Sequence, residues 1–392
     1  KILCFRQSVI EKIVIISSHH HHYHLNRVIT MFLLFYMSIF TFCIPRRTLV
    51  HAAFTITTPS PTSALSTQTI PLTSGVNAEV ISSFSAKDNK SDSINRPPLV
   101  FIHGSFHASW CWAKHYMPYF IQQGYNVAAL SLRGTGGTFA GEGVKKVQIS
   151  EHVNDVSAFL QWVKEQQQEC VGGESREGQE IRPPVLIAHS FGGLAVMKYL
   201  EKIHDTAEND AVIDESISGV ALFCSVPPSG NGKMTMRYLR RSLKDSWKIT
   251  AGLAMKKCIT DKSLCRELFF DCGVDNPDDG ISDEELETYQ GYFKRDTVAT
   301  IDLGDLARKL PSAKVSESDE GAAPFVFEMK TSRSLVVGAI HDFIVDSEGV
   351  KETAAYFGVK PSLVDSPHDV MLGAKWENGA NTLLRWLDEE IL

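Results

Sequence analysis

The sequence predicts an α/β fold in which helices cover both faces of a mostly parallel β-sheet. From about residue 77 onward, short apolar runs alternate with amphipathic helical patterns, which is typical of parallel strands joined by helical crossovers. Several runs, such as 98–104, are apolar without interruption, as expected of strands buried on both faces. Another apolar run begins the segment VLIAHSFGG at 185–193. This run leads into a serine that is soon followed by two glycines, and a helical pattern begins there at once.

Composition and charge narrow the possible functions. Apolar residues make up 43% and charged residues 22% of the 392 residues, which suits a chain with a sizeable core. The net charge of −7 gives no indication of nucleic-acid binding, so no such partner is predicted. The eight cysteines are too dilute for a disulfide scaffold, and none form a Cys-x-x-Cys pair. We therefore expect no metal site and no cofactor.

The N-terminal part resembles a targeting region, and we expect the natural start at Met31. The uncharged stretch 28–44 lies at the lower limit for a membrane span and would also serve as the apolar part of a secretory signal. Between Met31 and Ser85 the only acidic residue is Glu79, and serine and threonine abound, a composition typical of transit peptides. We expect residues 1–75 to be disordered or removed, with the plastid as destination. Secretion or anchoring through 28–44 is the alternative.

The rest of the chain, 76–392, is predicted to be one domain with an insertion. Strands are predicted at 77–85, 98–104, 125–134, 185–190, 218–226, 333–341 and 361–367. Helices are predicted at 110–123, at 149–166, from 191 onward, at 347–357 and at 380–392. About a hundred residues separate the strand at 218–226 from the next clear strand. This interruption predicts a helical cap inserted at about 228–332.

The strand-to-helix corner at Ser190 is a candidate site of chemistry. Parallel α/β sheets bind ligands beyond the carboxyl ends of their strands, and Ser190 occupies such a position. Ala188 and Gly192, two residues to either side, are small enough for a sharp turn. The resulting Ala-x-Ser-x-Gly differs by one methyl group from the Gly-x-Ser-x-Gly nucleophile elbow. The alternative is that Ser190 only caps the helix that begins at Phe191.

A serine nucleophile needs a base and a group that orients the base, and the sequence offers both. Asp342 follows the strand at 333–341, and His368 follows the next short strand. In this interpretation His368 takes the proton of Ser190, and Asp342 holds the imidazole in the productive tautomer. The chain order Ser, Asp, His is the one associated with a nucleophile elbow. Asp346 is the alternative orienting residue.

Hydrolysis through a tetrahedral intermediate also needs donors for the oxyanion. Gly104 follows the strand at 98–102, so the backbone there is free to turn its N–H groups inward. We predict that the N–H groups of Ser105 and Phe191 form the oxyanion hole. His103, in the same loop, is expected to support it rather than to bind a metal. His107 is expected to have a structural role, with contact to a substrate as the alternative.

Five segments carry a resemblance to the α/β-hydrolase superfamily over residues 77–392, and the first and last resemble plant serine esterases and related hydroxynitrile lyases. They are FIHGSFHASWCW at 101–112, LSLRGTGGT at 130–138, IAHSFGG at 187–193, VVGAIHDFIV at 336–345 and PHDVML at 367–372. The resemblance implies the α/β-hydrolase fold, with Ser190 as nucleophile, Asp342 as acid and His368 as base. It also implies Ser105 and Phe191 as oxyanion donors.

The sequence departs from the family pattern at two positions. Ala188 stands where glycine is commoner, and Ser131 stands where the Asp-x-Arg-Gly form of that loop has aspartate. Neither departure removes a group that the chemistry needs. Epoxide hydrolases and dehalogenases of this fold use an aspartate at the elbow, so Ser190 argues against those reactions.

The predicted function is a serine hydrolase that forms an acyl-enzyme at Ser190. Its substrate would be a carboxylic ester or thioester of small to medium size and hydrophobic character. One alternative is a receptor that binds a small molecule on a hydrolase scaffold and recruits a partner protein. Another is a cyanohydrin-type lyase, which uses the same triad for proton transfer and usually also needs a lysine near the pocket.

The first helical pattern of the insertion carries apolar and basic residues side by side. The apolar residues recur at helical spacing at Met236, Leu239, Leu243 and Trp247, with Arg237, Arg240, Arg241 and Lys244 beside them. One interpretation is an apolar wall for an acyl chain with a basic face at lipid head groups, giving peripheral membrane contact. The other is a helix packed on the sheet edge with a solvated basic face.

Overall fold

The structure is a computed structural model. It describes residues 64–84, 96–171, 181–206, 216–273, 280–311 and 333–392. Met31 and the apolar stretch 28–44 lie outside the described residues, so the targeting interpretation stays a prediction. None of the described helices combines the length and the apolar composition needed to cross a bilayer.

A mostly parallel sheet of eight strands forms the centre of the described chain. The described residues form ten strands, of which eight belong to this sheet. They are β1 (Ser66–Pro71), β2 (Asn77–Ser82), β3 (Leu99–Ile102), β4 (Val127–Leu130), β5 (Lys146–Val147), β6 (Val185–His189), β7 (Gly219–Phe223), β8 (Thr300–Ile301), β9 (Ser334–His341) and β10 (Ser362–Pro367). The main sheet has the order β1-β2-β4-β3-β6-β7-β9-β10, and β5 pairs with β8 separately. Only the pairs β1–β2 and β2–β4 are antiparallel. The predicted fold class is confirmed.

Helices connect the strands and pack on the sheet. They are α1 (Trp110–Ala113), α2 (Tyr116–Gln122), α3 (Ile149–Val171), α4 (Phe191–Thr206), α5 (Asn231–Arg241), α6 (Leu243–Ile249), α7 (Lys262–Cys265), α8 (Asp283–Arg295), α9 (Leu303–Arg308), α10 (Ser347–Tyr356) and α11 (Trp376–Trp386). Each of α3 and α4 leads from one parallel strand towards the next, as a crossover helix does. The α3 and α4 helices also pack against each other.

The central strands form where the apolar runs are uninterrupted. Every residue of β3, β4, β6 and β7 is buried, as expected when helices cover both faces of a parallel sheet. Phe101 of β3 packs against Trp112, with 5.0 Å between the ring centroids. Trp112 in turn packs against Tyr116, and all three side chains are buried. This core holds the carboxyl ends of neighbouring strands in fixed positions, which is where the candidate residues lie.

The predicted N-terminal boundary needs a correction. Residues 1–75 were expected to lie outside the domain, but Ser66–Pro71 form β1, which pairs along its whole length with β2. The strand lies at the edge of the sheet and is largely polar, with only Ile70 fully buried. A polar edge strand rich in serine and threonine has the same composition as a linker, so composition alone could not separate the two.

The described part of the insertion between β7 and β9 comprises the helices α5 to α9 and the two-residue strand β8. The predicted apolar stripe of its first helices is not buried along its length. Met236 and Leu239 are half-buried, but Leu243 and Trp247 are 76% and 57% exposed. The stripe is therefore not a continuous wall of the interior. The role of the insertion as a cap stays a prediction.

Candidate active site

Ser190 lies at a tight corner between β6 and α4. Its φ of +52° is in the left-handed region, which costs a residue other than glycine about 1–2 kcal/mol. The corner is tight because Gly192 lies against β3: a Cβ there would be 2.5 Å from the His103 carbonyl oxygen and 2.8 Å from that of Ile102. Ala188 is fully buried on β6. The hydroxyl is thereby presented beyond the end of the sheet.

The structure brings Ser190, His368 and Asp342 into one chain of hydrogen bonds. His368 Nε2 is 3.2 Å from Ser190 Oγ. On the other side of the ring, His368 Nδ1 is 2.9 Å from each carboxylate oxygen of Asp342. The Asp342 carboxylate is itself fixed, because Oδ1 accepts the N–H groups of Ile344 and Val345 at 2.8 Å each.

The alternative orienting residue, Asp346, is engaged elsewhere. Its carboxylate accepts two hydrogen bonds of 2.6 Å from the guanidinium of Arg237 and one of 2.9 Å from the N–H of Gly349. Burial alone would raise the pKa of Asp346, but these donors hold that pKa below its ordinary value. Asp342, and not Asp346, therefore contacts His368.

The surroundings of His368 suit a general base. Burial alone would lower the pKa of this imidazole, but the Asp342 carboxylate and its hydrogen bond keep that pKa above the ordinary value. Because a carboxylate only accepts, Nδ1 carries the proton in the neutral ring. The lone pair of Nε2 then faces the Ser190 hydroxyl, which donates to it. This arrangement is able to take a proton from Ser190 Oγ.

Cys224, which the sequence analysis did not single out, supports the acid. It follows β7, has a φ of +46° and is fully buried. Burial raises the pKa of its thiol, and the charge of the nearby Asp342 carboxylate adds to that increase. The thiol therefore stays protonated, and its Sγ, an Asp342 carboxylate oxygen and a His368 ring nitrogen all lie within 4.8 Å of one another. No motif marks such a cysteine in the sequence.

The loop after β3 lies directly against Ser190. A Cβ on Gly104 would be 2.8 Å from Ser190 Cβ, so only glycine lets the two segments approach so closely. His103 holds this loop: its Nε2 accepts the Leu132 N–H at 2.9 Å, and its Nδ1–H donates to the Gly104 carbonyl at 2.7 Å. Burial lowers the pKa of His103 to about 3, so the ring is neutral as this pattern requires.

The two predicted oxyanion donors flank Ser190. Phe191 begins α4, and the first N–H groups of a helix have no acceptor within it. Ser105 follows Gly104, the residue in closest approach to Ser190. The Ser105 carbonyl accepts from His107 Nδ1 at 2.7 Å, which limits rotation of this part of the loop. The positions of both residues suit the proposed oxyanion hole.

A second buried pair lies next to the first. His107 Nε2 is 2.9 Å from Asp369 Oδ2, and both side chains are fully buried. A carbonyl oxygen only accepts, so His107 Nδ1 carries a proton and donates it to the Ser105 carbonyl. On the other side of the ring, Nε2 and the Asp369 carboxyl group share one proton in their hydrogen bond. Asp369 directly follows His368, so the pair joins the Ser105 loop to the His368 loop. The backbone of His368 is also held, because His189 Nε2 donates to its carbonyl at 2.9 Å.

The helical insertion covers this region with phenylalanine rings. The ring centroids of Phe269 and Phe293 are each 6.0 Å from that of Phe106 in the loop after β3. The Phe269 ring is also 6.1 Å from the ring of His368, and its carbonyl accepts the Asp369 N–H at 3.0 Å. The surroundings of the triad are therefore apolar on the side of the insertion.

Among the described residues, two groups of three side chains have the spacing of metal ligands. They are His189, His368 and Asp369, and Cys224, Asp342 and His368. Both groups share His368, whose two ring nitrogens already contact Asp342 and Ser190. Binding a metal through His368 would break one of these hydrogen bonds. The donor set thus fits a proton relay better than a metal site.

Comparisons with known proteins identify the family of the chain. Residues 99–370 match the model of the alpha/beta hydrolase family. Methylesterase 2 of Arabidopsis thaliana is 28% identical over 107 residues, which are 27% of this chain and 35% of that protein. Methylesterase 10 of the same plant is 32% identical over 104 residues, 26% of this chain and 32% of that protein. The matched region thus spans about a third of these relatives.

Among solved structures, epoxide hydrolase A of Mycobacterium thermoresistibile has a TM-score of 0.53 at 17% identity. The match covers 83% of this chain and 98% of that one. At this identity the likeness shows a shared fold alone. The family match, by contrast, extends from β3 across the corner at Ser190 to the loop of His368. The chain belongs to the alpha/beta hydrolase family.

Proposed function

We propose that the protein is a serine hydrolase that cleaves a carboxylic ester or thioester through an acyl-enzyme at Ser190. The observation that carries this proposal is the hydrogen-bonded chain from Ser190 Oγ through His368 to Asp342. A serine hydroxyl is a weak nucleophile by itself, and a base held in one tautomer is what activates it. The likeness to two methylesterases supports ester chemistry.

The reaction would proceed in two steps. Ser190 Oγ attacks the carbonyl carbon while its proton passes to His368 Nε2, and the N–H groups of Ser105 and Phe191 receive the negative oxygen. Collapse of this intermediate expels the alcohol or thiol, which takes the proton from His368. Water then attacks the acyl-enzyme by the same route and releases the acid. Asp342 stabilises the imidazolium in both steps without taking its proton.

The substrate is proposed to be small to medium in size and hydrophobic. The rings of Phe106, Phe269 and Phe293 lie beside the triad, and the insertion that carries two of them would act as a cap. Apolar walls favour an apolar acyl or alcohol group, because burying such a group releases it from water. A lyase of the cyanohydrin type is less well supported: within the described residues, no lysine has a hydrogen bond or ion pair with the triad.

A covalent probe tests the proposal directly. A fluorophosphonate, followed by peptide mass mapping, should label Ser190 of the wild-type chain and fail to label Ser190→Ala. Ser362→Ala, in β10, is the matched control and should label like wild type. Hydrolysis of a panel of esters and thioesters should fall by several orders of magnitude in Ser190→Ala. A Ser190→Ala protein that keeps a tenth of wild-type hydrolysis would overturn the mechanism, and a folded chain without labelling would favour a small-molecule receptor.

A further inference from the structure

The helix that begins at Leu243 presents apolar side chains to solvent. The α6 helix continues through a π-helical turn to Ala254. On its inner face Ser246, Ala251 and Gly252 are buried, and the half-buried side chains of Ile249 and Leu253 pack against the core. On the outer face Leu243 is 76% and Trp247 57% exposed, four residues apart. Ala254, seven residues further, is also exposed. Large apolar side chains thus lie on the face of the helix that is normally polar.

Positive charge surrounds this outer face. Residues 231–260 contain eight lysines and arginines but only one acidic residue, in a chain whose net charge is −7. Arg240, Arg241 and Lys244 are exposed, and none of the three has an ion-pair partner among the described residues. Lys257 Nζ lies 6.0 Å from the centre of the Trp247 ring. Exposed cations and exposed apolar side chains therefore occur together in this segment, and Lys257 and Trp247 lie side by side.

We propose that this surface, called the outer patch (Leu243, Lys244, Trp247 and Lys257), docks on an anionic lipid surface. A helix that lies in the plane of a membrane interface combines leucine and tryptophan with basic residues in this way. Tryptophan is favoured at the interface because its ring is apolar while its N–H remains hydrated. The local positive charge is opposite to that of the chain as a whole, so attraction to anionic head groups would also orient the molecule.

The outer patch is connected to the candidate site through the preceding helix. Tyr238 in α5 donates its hydroxyl to the Phe343 carbonyl at 3.1 Å, next to Asp342. Arg237 in the same helix binds Asp346 through both carboxylate oxygens. Docking would therefore hold the helices beside the acid loop at the lipid surface. If the proposed hydrolase function holds, this placement would favour substrates that partition into lipid.

Co-sedimentation of the full chain with lipid vesicles tests the docking without any need for activity. Vesicles of phosphatidylcholine alone and vesicles that also contain phosphatidylglycerol are compared at low and at high salt. The wild-type chain should prefer the anionic vesicles, and high salt should weaken the preference. The variant Lys244→Gln/Lys257→Gln should bind anionic vesicles about 25-fold more weakly, because each cation near the surface contributes about fivefold. Leu243→Ser/Trp247→Ser should lose at least about tenfold.

A matched control comes from β10 and its preceding turn. Leu363 is 60% exposed and Lys360 is exposed, so Leu363→Ser/Lys360→Gln removes the same kinds of groups elsewhere and should bind like wild type. Circular dichroism and hydrolysis of a soluble ester should be unchanged in the patch variants. Equal binding by patch variants and wild type, as expected if another segment holds the membrane, would overturn the proposal. Equal binding to both kinds of vesicle would do the same. Loss of hydrolysis in all samples with vesicle binding intact would refute the proposed function alone.

Discussion

His107 and Asp369 form a fully buried pair, with 2.9 Å between Nε2 and Oδ2, although 262 residues separate them in the chain. One partner lies in the loop that carries Ser105, and the other directly follows His368. The pair therefore fixes the distance between the proposed oxyanion donors and the proposed base. Neither residue touches the reacting atoms, so we regard both as positioning residues.

Replacing Asp369 should separate geometry from charge. In Asp369→Asn the side-chain N–H can donate to His107 Nε2, while Nδ1–H still donates to the Ser105 carbonyl, so near wild-type kcat is expected. Asp369→Leu leaves Nε2 without a partner and frees the loop. We expect kcat about a hundredfold lower with little change in KM, because misplacement by about 1 Å has effects of that size. Steady-state kinetics on a soluble ester, with thermal unfolding as a check of folding, measures both variants. Equal losses in the two would contradict a positioning role.

The raised pKa of His368 predicts a pH dependence. The base must be neutral to accept a proton, so kcat/KM should fall as pH decreases through the pKa of His368, which lies above 6.5. In Asp342→Asn the raising carboxylate is gone and burial remains, so the acid limb should move to lower pH. The rate should also drop by about 10⁴. A pH profile of both proteins decides the matter, and an unmoved acid limb would refute the assigned role of Asp342.

The close approach of Gly192 to β3 predicts a loss of stability on adding one methyl group. In Gly192→Ala the Cβ would collide with the carbonyls of Ile102 and His103, and the backbone cannot easily yield. The free energy of unfolding should fall by about 1–3 kcal/mol in chemical denaturation. Gly291→Ala in α8 is the matched control, since no atom lies within 4 Å of its Cβ position. It should be neutral or up to about 1 kcal/mol more stable. A Gly192→Ala chain as stable as this control would contradict the geometry.

The left-handed backbone at Ser190 predicts a difference between two inactive variants. Glycine adopts a φ of +52° without steric cost, whereas alanine keeps the strain. The free energy of unfolding of Ser190→Gly should therefore be about 1 kcal/mol higher than that of Ser190→Ala. The greater freedom of glycine in the unfolded chain offsets part of this difference. Parallel denaturation curves provide the comparison. Both variants should lack hydrolysis, and a Ser190→Gly chain that is clearly the less stable would argue against strain at the corner.

The sequence was most informative where a residue ends a strand. Ser190, Asp342 and His368 each follow an apolar run, and parallel strands bring their carboxyl ends to one edge of the sheet. The structure brings these three together. The sequence left two candidates, Asp342 and Asp346, for the residue that contacts His368. In the structure this residue is Asp342, because Asp346 is bound by Arg237, which only the fold shows.

Other features could not be read from the sequence for physical reasons. The His107–Asp369 pair and the Cys224 thiol depend on long-range packing, and no local pattern encodes that. Leucine and tryptophan at helical spacing predict a helix but do not say which face is buried. Here Ile249 and Leu253 pack against the core while Leu243 and Trp247 are exposed, so hydrophobicity alone does not separate the inner face from the outer one.

The position of β1 has a consequence for how the chain tolerates shortening. A chain that began at residue 76 would lack Ser66–Pro71 and leave the outer edge of β2 without its antiparallel partner. An unpaired strand edge offers its N–H and C=O groups to other chains and promotes aggregation. Proteolytic maturation or recombinant truncation should therefore cut before Ser66 if the edge of β2 is to stay paired. The polar β1 is itself the edge strand, so it replaces the more apolar edge of β2 by one of serine, threonine and glutamine that ends at Pro71.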